Sequence, residues 1–279
     1  MNLLTLTTLL LATSAAAGFL GSLTGLGGGV VLVPVLTLLF HVHLRYAIGA
    51  SLVSVIATSS GSAAAYVAEG ISNIRVAMFL EVATTLGAIL GAFLAGFVST
   101  GFIAFVFGCV LILSAALSVR QVDHPQVDPD HESKLANFLQ LRGEYRQRNG
   151  EVRQYEAERP LGGFGVMLVA GGLSGLLGIG SGAVKVIAMD HVMKLPFKVS
   201  TTTSNFMIGV TAAASAGIYL RRGYIDPGLA MPVMLGVLGG SMAGAKLLVK
   251  AKTQALRVVF GATIGLLGLE MIYQGVRGL

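Results

Sequence analysis

Gly18-Phe-Leu-Gly-Ser-Leu-Thr-Gly-Leu-Gly-Gly-Gly29 returns later in the chain as Gly171-Gly-Leu-Ser-Gly-Leu-Leu-Gly-Ile-Gly-Ser-Gly182. The offset is 153 (178 − 25), and it holds without a gap for roughly a hundred residues. Ser51 falls on Ser204, Tyr66 on Tyr219, Gly87 on Gly240, Gly91 on Gly244 and Phe107 on Phe260. Each copy is a set of long apolar segments, the first of them broken by glycine. Paired apolar halves with matching glycine breaks point to a membrane transporter, and the breaks point to its binding site.

Composition agrees. The 279 residues are 54% hydrophobic and 11% charged, against about 25% charged in a soluble domain. Several stretches reach the roughly 20 apolar residues that span a bilayer. The lipid bilayer is therefore the expected partner. The net charge of +6 sits in loops between spans, which suits membrane orientation and not nucleic acid. Cys109 is alone, so no disulfide is possible within the chain, and no residue spacing suggests a metal site or a cofactor. Met1 to Ala17 mimics a signal peptide but lacks a basic start, and it reads as a retained first helix.

The expected fold is all-α and membrane-embedded, in two homologous repeats. The first repeat, 1–119, has segments at Leu3–Phe40 (broken at Gly25–Gly29), Tyr46–Ala68, Ile74–Phe97 and Gly101–Val119. The second, 161–279, has Leu161–Met193 (broken at Gly178–Gly182), Ser200–Leu220, Pro227–Leu248 and Thr253–Tyr273. The pairs Gly87/Gly91 and Gly240/Gly244 suit close helix packing in lipid. Between the repeats, 120–160 is a soluble linker. It carries a short helix within His131–Leu141, then a hairpin centred on Asn149-Gly150, the signal of a two-residue type I′ turn. A lone hairpin is marginal in water, so this one is expected to pack on the membrane domain.

The repeats are parallel if each broken segment crosses once, and inverted if it is re-entrant or crosses twice. Inversion puts Arg75, Lys194, Lys198, Lys246, Lys250 and Lys252 on the linker side, with Arg45, Arg221, Arg222 and Arg277 opposite. That gathers more positive charge beside the arginine-rich linker and favours inversion with a cytoplasmic linker.

The chemistry is expected at the breaks. A helix restarting inside the membrane leaves N–H groups unpaired and its dipole positive, which favours an anion. Gly27, Gly28 and Gly29 in the first copy, and Gly180, Ser181 and Gly182 in the second, let the backbone approach closely and take positive φ; Gly25 and Gly178, which open the two breaks, are further candidate contacts. The bland alternative is a tight helix crossing. Lys185, three residues past the second break where the first copy has Leu32, is the expected charged ligand; snorkelling or pairing with Asp190 is the alternative. Ser51, Thr203, Ser204 and Asn205 add neutral polar groups, or else bond to helix backbone. Glu81, whose counterpart is Met234, is a candidate proton site if buried and merely a solvated carboxylate if not. His41, His43 and His191 read as interfacial.

These features resemble the TauE/SafE family of sulfite exporters. The family's Gly-x-x-x-Gly-x-Gly-Gly-Gly signature followed by an apolar Val-Pro appears as Gly21–Pro34. The second copy keeps Gly178-Ile-Gly-Ser-Gly182 but has Ile187 where the first has Pro34. Thr203-Ser204-Asn205-Phe206-Met207, Tyr219 and Gly223 match the second-segment pattern. The resemblance implies a plasma-membrane (inner-membrane) secondary exporter of small sulfur-containing oxyanions such as sulfite or sulfonates. Coupling would come from protons or the membrane potential, since no Walker A motif is present. A passive anion channel, or a non-transporting subunit anchoring a partner through the linker, are the rival readings. No nucleophile–base pair suggests an enzyme.

Overall fold

Four stretches, Leu4–Ser22, Ile74–Leu94, Pro160–Leu177 and Pro227–Leu247, fold as helices long and apolar enough to cross a membrane. They belong to a computed structural model that describes residues 3–24, 28–68, 72–119, 134–146, 152–250 and 253–277. The first half holds α1 (Leu3–Thr24), α2 (Gly29–Leu38), α3 (Leu44–Ala68), α4 (Ile74–Leu94) and α5 (Thr100–Val119). The linker holds α6 (Lys134–Phe138), β1 (Arg142–Arg146) and β2 (Val152–Glu156). The second half holds α7 (Pro160–Leu177), α8 (Gly182–Ile187) continuing into a π turn at Ala188–Val192, α9 (Phe197–Arg221), α10 (Pro227–Lys250) and α11 (Thr253–Arg277). The chain is therefore an all-α membrane protein with one small hairpin.

Local chemistry fixes the helix ends. Asn73 is extended, and its Oδ1 accepts the Val76 N–H at 3.1 Å, a side-chain cap on α4. Asp226 does the same for α10, accepting from Gly228 and Leu229. Pro227 and Pro160 occupy first-turn positions, where the missing N–H is no loss.

Side-chain pattern decides which helices face lipid. On α4, Met78, Val82, Leu86 and Leu90 are exposed at intervals of four, while Val76, Leu80, Ala83 and Ala88 are buried. α3 and α9 are equally long but carry buried hydroxyl rows: Ser51, Ser54, Thr58 and Ser59 on one, Ser200 to Ser204, Thr211 and Ser215 on the other. Hydroxyls bury more readily between helices than in lipid, so these two occupy the centre.

Small residues let backbones touch across the two halves. A Cβ at Gly240 would lie 1.9 Å from the Ala15 carbonyl oxygen, and one at Gly236 2.4 Å from that of Leu11. On α4 and α7, a Cβ at Gly171 would lie 2.1 Å from the Thr84 oxygen, and one at Gly175 2.0 Å from that of Ala88. In both pairs the residue numbers rise together, so α1 runs parallel to α10 and α4 to α7. On α5 and α11 they run oppositely: Gly275 meets Gly101 and Phe105, Gly108 meets Gly268, and Gly265 meets Ala115. α5 and α11 are antiparallel.

The hairpin docks on the membrane domain as expected. Tyr155 OH lies 3.1 Å from Asn73 Nδ2, and the Glu158 N–H donates to the Met193 carbonyl at 3.0 Å. Leu141, Tyr155 and Ala157 are buried in one cluster with Val76, Leu80, Met193 and Leu195. The register pairs Arg146 with Val152 and Arg142 with Glu156. The expected two-residue turn at Asn149-Gly150 lies outside the described residues.

Three arginines mark the two ends of α4. Arg45 donates to Tyr224 OH at 2.7 Å and to the Val98 carbonyl, and Arg222 donates to the Ala92 and Phe93 carbonyls. These tie the start of α3 to the ends of α4 and α9. At the opposite end, Arg75 bonds Gln140 beside the hairpin.

Candidate functional site

The two breaks meet. A Cβ at Gly29 would lie 3.3 Å from the Gly178 carbonyl oxygen, and only 2.5 Å from Ser51 Oγ. Ser51 Oγ itself donates to that Gly178 carbonyl at 2.7 Å, joining α3 to the second break. Its counterpart Ser204 donates to the Gly182 carbonyl at 3.3 Å. The paired serines thus hold break carbonyls, the backbone-bonding role that hydroxyls in helices commonly take.

The breaks are not alike in conformation. Positive φ occurs at Gly178 (67°), Gly180 (69°) and Ser181 (51°). Gly28 is ordinary right-handed helix at φ −60°, so the expectation of positive φ there is corrected. Gly28 and Gly29 serve close approach instead: Cβ atoms there would crowd Thr58, Gly18 and Val237, and Ser51 and Val55. Gly25 and Gly27 lie outside the described residues. Ser181 Oγ is buried without a hydrogen-bond partner, as is Asn205 Oδ1, while Asn205 Nδ2 donates to the Ser22 carbonyl at 3.3 Å. Thr203 accepts from the Asn73 N–H at 3.0 Å, which draws it toward the hairpin end and away from the breaks.

Lys185 and Glu81, singled out separately in the sequence, belong to one cluster. Lys185 is fully buried, and its Nζ lies 3.8 Å from Glu81 Oε2. Lys185 Nζ also donates to Thr211 Oγ1, which donates onward to Glu81 Oε1 at 2.7 Å. Thr85 Oγ1 donates to the same oxygen at 3.2 Å. The cluster draws on α8, α9 and α4. With Lys185 fully buried and Glu81 15% exposed, holding both charges this deep is tolerable because each faces the other and polar hydroxyls. The partner of Lys185 shown here is Glu81, while Asp190 Oδ2 lies 3.4 Å from His191 Nδ1. His41 and His43 are exposed, in keeping with an interfacial position.

Sequence reading missed Thr211. A signal existed: Thr211 falls on Thr58 at the repeat offset, and Thr58 faces Gly28 of the first break. The Glu81–Thr85 contact follows from helical spacing of four. Among the described residues, no group of three metal-ligating side chains occurs.

Comparison with known proteins follows this geometry. The sulfite exporter TauE/SafE family profile matches residues 10–271. A probable membrane transporter protein of Bacillus subtilis is 28% identical over 96% of this chain and 98% of its own length. A second from the same organism is 26% identical, covering 92% and 94%. One from Methanocaldococcus jannaschii is 25% identical, covering 95% and 94%. No solved structure matches the chain.

Proposed function

The chain belongs to the TauE/SafE sulfite exporter family and is a membrane transporter, and from that premise we propose that it is a secondary transporter of small sulfur-containing oxyanions. The observation that carries the reading is the meeting of the two breaks, Gly29 against Gly178, with a buried ammonium on the helix that restarts after the second, Lys185 three residues past Gly182. Lys185 supplies the charge that recognises an oxyanion. Ser181 Oγ and Asn205 Nδ2 supply neutral donors, so release is not opposed by a second fixed charge. Gly25, Gly27, Gly28, Gly180 and Gly182 shape the approach. Ser51 and Ser204 hold the break, and Thr203 ties α9 to the hairpin end. Glu81 is the proton-coupling group. Export is the direction that family analogy suggests.

The two halves work as inverted repeats about an axis between α5 and α11. Those helices correspond at the 153-residue offset, since Thr100 falls on Thr253, and they run antiparallel. α1 with α10 and α7 with α4 are the exchanged pairs of the same symmetry. α1 and α2 form a re-entrant hairpin, because a parallel α1 and α10 leaves α1 and α3 pointing the same way. Positive residues then gather on the linker side, which makes that side cytoplasmic at the plasma membrane.

The test is uptake into proteoliposomes, screened over sulfite, sulfate, thiosulfate, methanesulfonate, sulfoacetate and simple carboxylates. Saturable uptake of sulfur oxyanions, driven uphill by a proton gradient or membrane potential, is expected. Flux that no gradient drives uphill would make the chain a channel. Failure to move any anion would make it a partner-anchoring subunit.

A further inference from the structure

Lys185 and Glu81 hold each other loosely. Their 3.8 Å separation is an ion pair but not a hydrogen bond, and Glu81 Oε2 has no hydrogen-bond donor although it is buried. Lys185 has three N–H donors. Among the described residues its one hydrogen bond goes to Thr211, so two donors remain for a ligand. The other charges on the described elements that pack against α4 lie near element ends. α7, which packs along α4, carries no titratable side chain between Pro160 and Leu177. α9 carries Lys198 and Arg221 only near its ends, and Asp190 and His191 face each other in the π turn. At the head of α4, Arg75 is engaged by Gln140, six residues or about 9 Å along the helix from Glu81. Among the described residues, neither Lys185 nor Glu81 has another ion-pair partner; Glu156 of the hairpin lies at the head of α4 with Arg75.

An anion that reaches Lys185 must therefore displace the carboxylate already facing it. Two anions cannot share one buried ammonium without leaving a net negative charge inside the protein, which is strongly unfavourable. A proton on Glu81 removes that charge. Resting on the transport reading above, we infer that Glu81 is an internal stand-in for the substrate: each arriving oxyanion displaces it from Lys185, and the released carboxylate takes one proton from water. Before binding, the pair is neutral as ammonium and carboxylate. After binding, it is neutral as ammonium, substrate monoanion and carboxylic acid. Charge balances in both states, so one proton moves with each monoanion and the loaded site crosses without net charge. The proton gradient and not the membrane potential is then the coupling force, and export runs down the substrate's own gradient. Thr211 remains against whichever group faces it, since its hydroxyl can donate or accept.

The probe is methanesulfonate, which stays a monoanion across the neutral range and so carries no proton of its own. Calorimetry on the intact protein, in buffers of different ionisation heat, is expected to read uptake of about one proton per anion bound. Affinity should rise as pH falls, by up to about tenfold per pH unit. Glu81→Gln should bind at least as tightly, with no proton uptake and no pH slope. Zero uptake by the parent protein overturns the inference. So does a slope that survives in Glu81→Gln, since the proton then belongs to Lys185 itself. Should Glu81→Gln misfold, Glu81→Asp carries the same test: the midpoint of the pH dependence must move, and an unmoved midpoint overturns the idea. Absence of any binding or transport of sulfur oxyanions by the parent would instead remove the transport reading, and this inference with it.

Discussion

Lys185 has two roles that a substitution would separate. As the anion's charged ligand, its loss in Lys185→Met should weaken binding by about 1.5–3 kcal/mol, the worth of a charge-assisted hydrogen bond. As Glu81's partner, its loss strands a carboxylate whose remaining donors are Thr211 and Thr85. Breaking one side of a buried pair costs about 3–5 kcal/mol, whereas replacing both sides is often neutral. Thermal unfolding in detergent should therefore rank Lys185→Met below the double variant Lys185→Met/Glu81→Gln. Equal stability of the two would mean the pair is not a buried unit. A second residue-scale expectation concerns Gly178. Its φ of 67° disfavours any side chain, and a Cβ would sit 2.4 Å from Ile48 Cγ2. Gly178→Ala should destabilise by about 1–3 kcal/mol. An unshifted melting temperature would show that the break is free to relax. The sequence identified Lys185 and Glu81 because isolated charge in an apolar run stands out on one line of text. Their contact could not be read there, because it spans 104 residues (185 − 81) and depends on how α4 lies against α9.

At the level of elements, the segment boundaries were legible, because a membrane helix must be apolar over a fixed length and glycine or proline marks its ends. α4 begins at Ile74 and α10 at Pro227, where the hydropathy pattern sets them. The hairpin was legible as a hairpin, and β1 and β2 pair antiparallel with Tyr155 and Ala157 buried against the membrane helices. Asn73 links the two levels: it caps α4 and also reaches Tyr155 OH and the Arg142 carbonyl. Asn73→Ala should cost about 1 kcal/mol for the cap and loosen the hairpin. Protease cleavage within 142–156, slow in the parent, should accelerate. Unchanged cleavage would show that apolar burial alone holds the hairpin. The α4–α7 seam has no such tolerance. Gly91→Leu would drive a side chain into the Gly172 carbonyl, 1.9 Å from the new Cβ. Loss of a monodisperse peak on size exclusion is the expected outcome.

For the whole molecule, cysteine labelling tests the proposed inversion. Arg45 and Lys198 begin corresponding helices, α3 and α9, and inversion sets them on opposite faces. Single cysteines at those positions, in a Cys109→Ala background because Cys109 is exposed, should react with a membrane-impermeant maleimide from opposite sides. Labelling of both from one side would make the halves parallel. The sequence leaned toward inversion on a small margin of basic residues. The stronger signal, antiparallel contact of α5 with α11, has no trace in either segment alone, because small residues pack equally well in both directions.

The pairing of α1 with α10 also fixes when the molecule can come together. Leu11 and the Gly236 it packs against are 225 residues apart (236 − 11). At about 5–20 residues per second, α1 is made roughly 11–45 seconds before its partner. During that interval its small-residue face has only lipid to meet. α4 waits likewise for α7, though for less time. Neither half can complete its packing alone, so assembly is a late event that follows insertion of the whole chain. A ribosome that stalls in the second half leaves behind helices with open seams, and such a fragment is a natural target for membrane quality control.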